Sequence, residues 1–258
     1  MNDALIGCSG FVGSTLLRQR SFRHLYRSAN IADVRNGRFD LVICAAAPAQ
    51  KWLANREPEH DAANISRLIE HLDTTVCDRF VLISTVDVFE QPSGVDEHTS
   101  PGGERLHAYG ANRLRLERFV ERRFPEGMIV RLPGLVGPGL RKNVIYDFLN
   151  GNNLEAIDSR GVFQFYPMVN LWKDIEVALQ AGVGLLHLTA APISVAEIAR
   201  EGFGRDFVRE TSSAPAQYDV RSRHTSLFGA EGRYQYSRRE SLLAVRAYAQ
   251  SEPRQRET

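Results

Sequence analysis

Short apolar runs alternate with amphipathic stretches through the first half of the chain. Residues 4–6, 39–47, 79–83 and Met128–Leu132 are nearly continuous apolar runs, the texture of parallel strands covered on both faces. Between them, Pro58–Leu72 sets Ile65, Leu68, Ile69 and Leu72 on one helical face, and residues 109–123 carry Leu114, Leu116, Phe119 and Val120 as apolar positions. Residues 24–27 read as a short second strand, with room for one helical turn over 31–36 before the next strand. This alternation predicts an α/β fold, a doubly wound parallel sheet whose ligands sit beyond the carboxyl ends of the strands.

The first strand runs into Gly7-Cys8-Ser9-Gly10-Phe11-Val12-Gly13, and Ser14-Thr15-Leu16-Leu17 opens a helical pattern. In a strand–turn–helix unit the three glycines make the turn, let backbone approach a pyrophosphate, and let the helix pack close to its strand. The helix start adds unpaired N–H groups and a positive dipole end. A glycine trio can equally be a plain tight turn; its place between the first strand and the first helix favours the dinucleotide. Ala45, Ala46 and Ala47, then Ser84-Thr85, then Pro133-Gly134 fall on the same rim. Four segments thus converge on one edge of the sheet.

Beyond Gly139 the texture changes. Helices are expected over 143–149, 171–181 and 195–201, short strands over 154–157, 163–166 and 185–189, and a loop over 91–103. After 201 the chain is polar and irregular until 239–249. The predicted layout is a dinucleotide-binding domain over 1–140, with 163–192 returning to it. A small C-terminal substrate-binding lobe takes 141–162 and 193–250, and 251–258 form a disordered tail.

With 258 residues the chain can bury a full core. Its formal charge of +1 gives no basic excess to attract nucleic acid or an anionic membrane. No apolar run reaches the length of a membrane span and the start lacks a signal-peptide layout, so a cytoplasmic protein is expected. Cys8, Cys44 and Cys77 are too few and too scattered for a disulfide framework or a zinc site.

On these motifs the chain resembles the extended short-chain dehydrogenase/reductases, the NAD(P)-dependent epimerase/dehydratase group that acts on nucleotide-linked sugars. The matching stretches are the G-x-x-G-x-x-G turn, residues 40–47, Asn64, Ser84-Thr85 with Val88-Phe89, residues 109–113, and Arg131-Leu132-Pro133-Gly134. The abbreviated region after the second strand, with Asn30-Ile31 following directly, is most similar to the dTDP-4-dehydrorhamnose reductase branch. The resemblance implies a Rossmann-type sheet and three catalytic residues. Tyr109 would exchange a proton with a substrate carbonyl or hydroxyl while hydride passes to or from nicotinamide. Thr85 would hydrogen-bond the same oxygen, and Arg113 stands where the family has a lysine that binds ribose and lowers the tyrosine's pKa. Arg supplies the cation and cannot release a proton at working pH.

The resemblance also sets Gly7, Gly10, Phe11, Val12, Gly13, Arg27, Asn30, Ile31, Ala45, Ala46, Ala47, Ser84, Tyr109, Arg113 and Pro133 at the cofactor. NADP stands ahead of NAD because Arg27-Ser28, where an acid would repel a 2′-phosphate, could accept one; Arg27 also reads as a solvated strand-end charge. Asp87, Lys142, Asn143 and Gln164 would meet the substrate. Asp87 is equally a loop-capping residue, Arg141 to Asn143 a solvated helix start, Gln164 to Tyr166 packing, and Trp52 either a sugar cover or packing. Val86 replaces the first of the two acids that dehydratases use. The function expected is a nucleotide-sugar oxidoreductase or epimerase, with a homodimer of the family's helix-paired kind. The rival is a non-catalytic dinucleotide-binding sensor or scaffold on the same fold.

Overall fold

In the computed structural model, which describes residues 2–254, the apolar runs form strands of one sheet. They are β1 (Asp3–Ile6), β2 (His24–Tyr26), β3 (Arg38–Cys44), β4 (Val76–Thr85), β6 (Met128–Leu132) and β10 (Leu185–His187), with β5 (Ser93–Val95) and β7 (Gly134–Val136) lying outside it. The six are parallel in the order β10-β6-β4-β3-β1-β2. The chain leaves β1 for β2 on one side and returns to β3 on the other, which makes the β1/β3 border the topological switch point. Ile6 pairs with Cys44 and Cys44 with Leu82, so the segments following β1, β3 and β4 emerge along one edge.

Period-two alternation gives each strand two buried faces. Ala4, Ile6, Val42, Cys44, Phe80, Leu82 and Ile129 pack with Ile65, Leu68 and Leu72 of α3 (Pro58–Leu72) and with Leu116, Phe119 and Val120 of α4 (Ala108–Arg123). Leu5, Ile43, Val81, Ile83 and Val130 are buried on the opposite face. That face belongs to α1 (Phe11–Gln19) and α6 (Leu171–Gln180), tied together where the Gln19 side chain accepts the Trp172 N–H at 2.8 Å. Helices on both faces explain why these strands lack a polar side.

The chain divides into two compact units. One takes the described residues through Glu90, then Glu97–Leu132 and Trp172–His187; the other takes Gln91–Asp96, Pro133–Leu171 and the described residues from Leu188 on. The second unit holds three two-stranded pairs. β7 pairs with β9 (Phe165–Pro167), β8 (Val162–Phe163) with β11 (Ile193–Ser194), and β5 with β12 (Asp219–Val220). Its helices are α5 (Val144–Asn150), α7 (Val195–Glu197) and α8 (Arg238–Ser251), the last two begun by capping boxes at Ser194 and Ser237. Among the described residues no helix is long and apolar enough to cross a membrane.

Several local expectations are corrected. Trp52 lies on a helix, α2 (Lys51–Arg56), which ends where Pro58 starts α3. The 91–103 loop contains β5, because Arg221 donates its N–H to Val95 O at 2.8 Å. Residues 154–156 close a single 3₁₀ turn instead of a strand, entered through left-handed Gly151 and Asn153. Gln164 splits 163–166 into two strands with different partners. Helix α8 continues through Ser251 into the expected tail, of which 255–258 lie outside the described residues.

Candidate functional site

The glycine turn has three kinds of glycine. Gly7 has φ +86°, and a Cβ there would overlap the Ala45 carbonyl; a Cβ on Gly13 would overlap the Gly7 carbonyl. Both allow backbone to lie against backbone. Gly10 differs: its φ is −74°, it is exposed, and the nearest atom to a Cβ would be Gly7 O at 3.5 Å. Nothing within the chain requires glycine there. Gly10 is also the N-cap of α1 and has no side chain to offer, leaving the first amides of the helix, at Phe11, Val12 and Gly13, without a side-chain cap.

The turn is anchored to β2, since Gly7 and Cys8 donate to Tyr26 O at 2.8 and 3.2 Å. Past β2, the Asn30 side chain accepts the Arg27 N–H at 2.8 Å and donates to Leu25 O at 3.0 Å. Asn30 thus shapes the bend, Ile31 packs on the core, and Arg27 is exposed beside them. Ala45, Ala46 and Ala47 are half-buried at the end of β3, where Ala45 N–H returns to Ile6 O at 2.8 Å.

Further along the rim, the turn after β4 and the start of α4 are locked together. A Cβ on Gly110 would overlap the Asp87 carbonyl, so helix and turn touch through backbone. The Thr85 hydroxyl accepts the Asp87 N–H at 3.1 Å, and the Thr85 side chain acts on the Tyr109 phenol, lowering its pKa. His107 is the N-cap of α4, its Nδ1 accepting the Gly110 N–H at 3.0 Å. Asn55 of α2 accepts the Tyr109 N–H at 3.0 Å, and Lys51 of α2 pairs with Asp87 at 2.7 Å. The short helix therefore supplies an amide oxygen to the α4 terminus and a cation to the turn.

Tyr109 is 8% exposed, and the Arg113 guanidinium lies 4.0 Å from the centroid of its ring. Arg113, 2% exposed, pairs with buried Asp61 of α3 and donates to Pro48 O; Asn112 joins the same carboxylate at 2.8 Å. Its Nε is buried without a hydrogen-bond partner. Arg113 pulls Tyr109 toward phenolate, but it does not set the net shift. Burial pushes the phenol above its usual value and outweighs the pull of Arg113; Asp87 pushes it up further, the Thr85 hydrogen bond lowers it, and Asp61 raises it again.

Ser84 leads to a second buried cluster. Its hydroxyl donates to Glu117, which takes two nitrogens of Arg131, Nη2 at 2.7 Å and Nε at 3.1 Å. Arg131 Nη1 lies 3.3 Å from His187 Nε2, which must accept because arginine only donates. Ser84 is therefore committed to the protein interior.

The second unit places the expected substrate residues differently. Gln164 is buried and its amide is used within the fold, donating to Ala190 O and Val220 O and accepting the Val220 N–H at 2.7 Å. It is a strut between segments. Asn143 caps α5, accepting from Ile145 and Tyr146 and donating to Leu135 O, which fills the helix start expected to meet the substrate. Lys142 is exposed, and Pro133 follows β6 as the first residue of the second unit.

Sequence reasoning missed Asp61, Lys51, Asn55, His107 and Glu117. Asp61 had a signal: it falls on the stripe of Ile65, Leu68 and Leu72, where an acid must find a cation. Arg113 and Glu117 likewise sit on the stripe of Tyr109 and Val120.

The fold is a Rossmann-type α/β fold, the one shared by solved dTDP-4-dehydrorhamnose reductases and a UDP-galactose 4-epimerase. No protein-family model and no curated protein matches the chain in sequence. Among solved structures, the chain is similar to dTDP-4-dehydrorhamnose reductase from Bacillus anthracis in complex with NADP, at 18% identity and TM-score 0.74 over 98% of this chain and 100% of that one. It is also similar to a dTDP-4-dehydrorhamnose reductase from Clostridium acetobutylicum, at 20% identity and TM-score 0.71, covering 97% and 99% of the two chains. A Bordetella bronchiseptica enzyme in complex with NAD and UDP matches at 17% identity and TM-score 0.72, covering 97% and 94%.

Proposed function

We propose that the chain is an NAD(P)-dependent oxidoreductase acting on a nucleotide-linked sugar, with Tyr109 as the proton-transfer residue. The observation that carries the reading is the hydroxyl pair Thr85–Tyr109 with the Arg113 cation against the ring, on the same sheet edge as the uncapped helix at Gly10. The similar structures, with NADP or with NAD and UDP, support the class of ligand.

The residues fit a dinucleotide. The space at Gly10 and the first amides of α1 suit a pyrophosphate, and exposed Arg27 beyond β2 suits a 2′-phosphate, favouring NADP. When bound, the nicotinamide supplies or accepts a hydride. The chain's own part is to hold the substrate oxygen between Thr85 and Tyr109 and to move a proton at Tyr109 Oη. Lys51 and Asp87, both partly exposed beside that hydroxyl, are placed to meet sugar hydroxyls.

Calorimetry with NADPH and NADH, followed by a screen of 4-keto and oxidised nucleotide sugars at the nicotinamide absorbance, tests the reading. Turnover that Tyr109→Phe abolishes supports it. Cofactor binding without turnover favours the non-catalytic reading, for which the observation is that Arg113 is spent on Asp61 and Pro48.

A further inference from the structure

Arg113 does not sit as a free cation. One Nη nitrogen pairs with the Asp61 carboxylate and the other donates to Pro48 O, so one carboxylate and one carbonyl fix the guanidinium over the Tyr109 ring. Asp61 and Arg113 are 4% and 2% exposed, and a pair buried this deeply is weakly screened by water. The Asp61 carboxylate also holds Asn112, so three elements meet on it: α3, α4 and the segment after β3.

We infer that Asp61 is a positioning residue for the site: it holds Arg113 against the Tyr109 ring and sets its own negative charge against that cation. This rests on the reading of Tyr109 as the proton-transfer residue. In that reading the proton of Tyr109 Oη would pass to a substrate carbonyl oxygen, and a bound reduced nicotinamide would supply the hydride. The resulting phenolate takes a proton back from water. A site that began by removing a hydroxyl proton would need the phenolate first, and an uncompensated cation would favour it. Here every element packed on Tyr109 bears on that balance. Arg113 and the Thr85 hydrogen bond favour phenolate, while Asp61 of α3 and Asp87 of the β4 turn oppose it. His107 on its own helix is held toward the neutral form, and Lys51 of α2 is paired with Asp87.

The test is the ultraviolet absorbance of tyrosinate against pH in the full chain, with the Tyr109→Phe titration subtracted and folding followed by circular dichroism. Wild-type Tyr109 should ionise above the usual phenol value of about 10. Asp61→Asn should move the midpoint down, Arg113→Gln should move it up, and the neutral pair Asp61→Asn/Arg113→Gln should lie nearer wild type than Arg113→Gln alone. An unchanged midpoint in folded Asp61→Asn overturns the inference. If Asp61→Asn does not fold, the remaining two variants decide: a double variant no nearer wild type than Arg113→Gln overturns it. A merely structural Asp61 would change stability without moving the midpoint. Neither cofactor nor substrate is needed, so a protein without turnover would sink the proposed function while this titration still gives its own answer.

Discussion

Lys51 Nζ lies 2.7 Å from Asp87 Oδ1, joining the first residue of α2 to the turn that ends β4. The pair sits beside the α4 N-cap, and its two charges act on His107 in opposite senses. Burial lowers the His107 pKa from its usual 6.5, Lys51 lowers it further, and Asp87 raises it. Lys51→Met should therefore raise the His107 pKa and Asp87→Asn should lower it, as read by the ring-proton shifts in an NMR titration. Because Lys51 is 38% exposed, the bridge itself contributes no more than about 1 kcal/mol.

His107 also makes stability depend on pH. Its Nδ1 can accept the Gly110 N–H only while the ring is neutral. With the folded pKa below the unfolded value, the unfolded chain takes up the proton first. The contribution is thus complete above about pH 6.5 and is lost as pH falls through the folded pKa. His107→Asn keeps a capping side chain that does not titrate. Thermal melts from pH 7 to pH 5 should show a smaller loss in that variant than in the wild type.

Gly10 and Gly13 should fail in different ways. Gly10→Val fills space used by nothing in the chain, so the melting temperature should barely move while NADPH binding by calorimetry is lost. Gly13→Ala pushes a methyl into the Gly7 carbonyl and should cost roughly 1–3 kcal/mol in urea unfolding. Equal loss of stability in the two variants would show that Gly10 is a packing glycine.

Tyr109→Phe removes the hydroxyl and leaves the ring under Arg113. Turnover should fall by ~10²–10⁴-fold, the usual effect of a lost general acid, with cofactor affinity retained. Steady-state kinetics beside calorimetry checks both halves; turnover within a factor of about two of wild type removes Tyr109 from the mechanism.

Glu117 and Arg131 form a fully buried pair to which Ser84 is attached. Breaking it by Glu117→Ala leaves Arg131 uncompensated and should cost about 3–5 kcal/mol in denaturant unfolding. The apolar double variant Glu117→Leu/Arg131→Met should recover most of that loss, because the desolvation cost disappears together with the pairing.

Much of the first unit was legible because its signals are local. Apolar runs such as 79–83 have nowhere to go but a covered strand, and the stripe of Ile65, Leu68 and Leu72 fixes both a helix and its buried face. The glycine turn carried its own geometry, since positive φ at Gly7 and close packing at Gly13 are demands on single residues. Thr85 at a strand's carboxyl end and Tyr109 near a helix start were also visible one segment at a time.

What tertiary structure decided is pairing across the chain. Whether Arg113 is a free cation depends on Asp61, 52 residues earlier, and on a carbonyl at Pro48. Lys51 acquires its partner 36 residues later, and Asn55 caps a helix 54 residues away. In the second unit, Gln164 read in sequence as a substrate contact or packing, and Asn143 as a substrate contact or part of a solvated helix start. Folding brought the carbonyls of Val220 and Ala190 to one and the amides of α5 to the other. The physical reason is the same each time: a strand or helix is specified by the period of its own residues, whereas the charge and hydrogen-bonding state of a buried group belong to whichever partner the fold delivers.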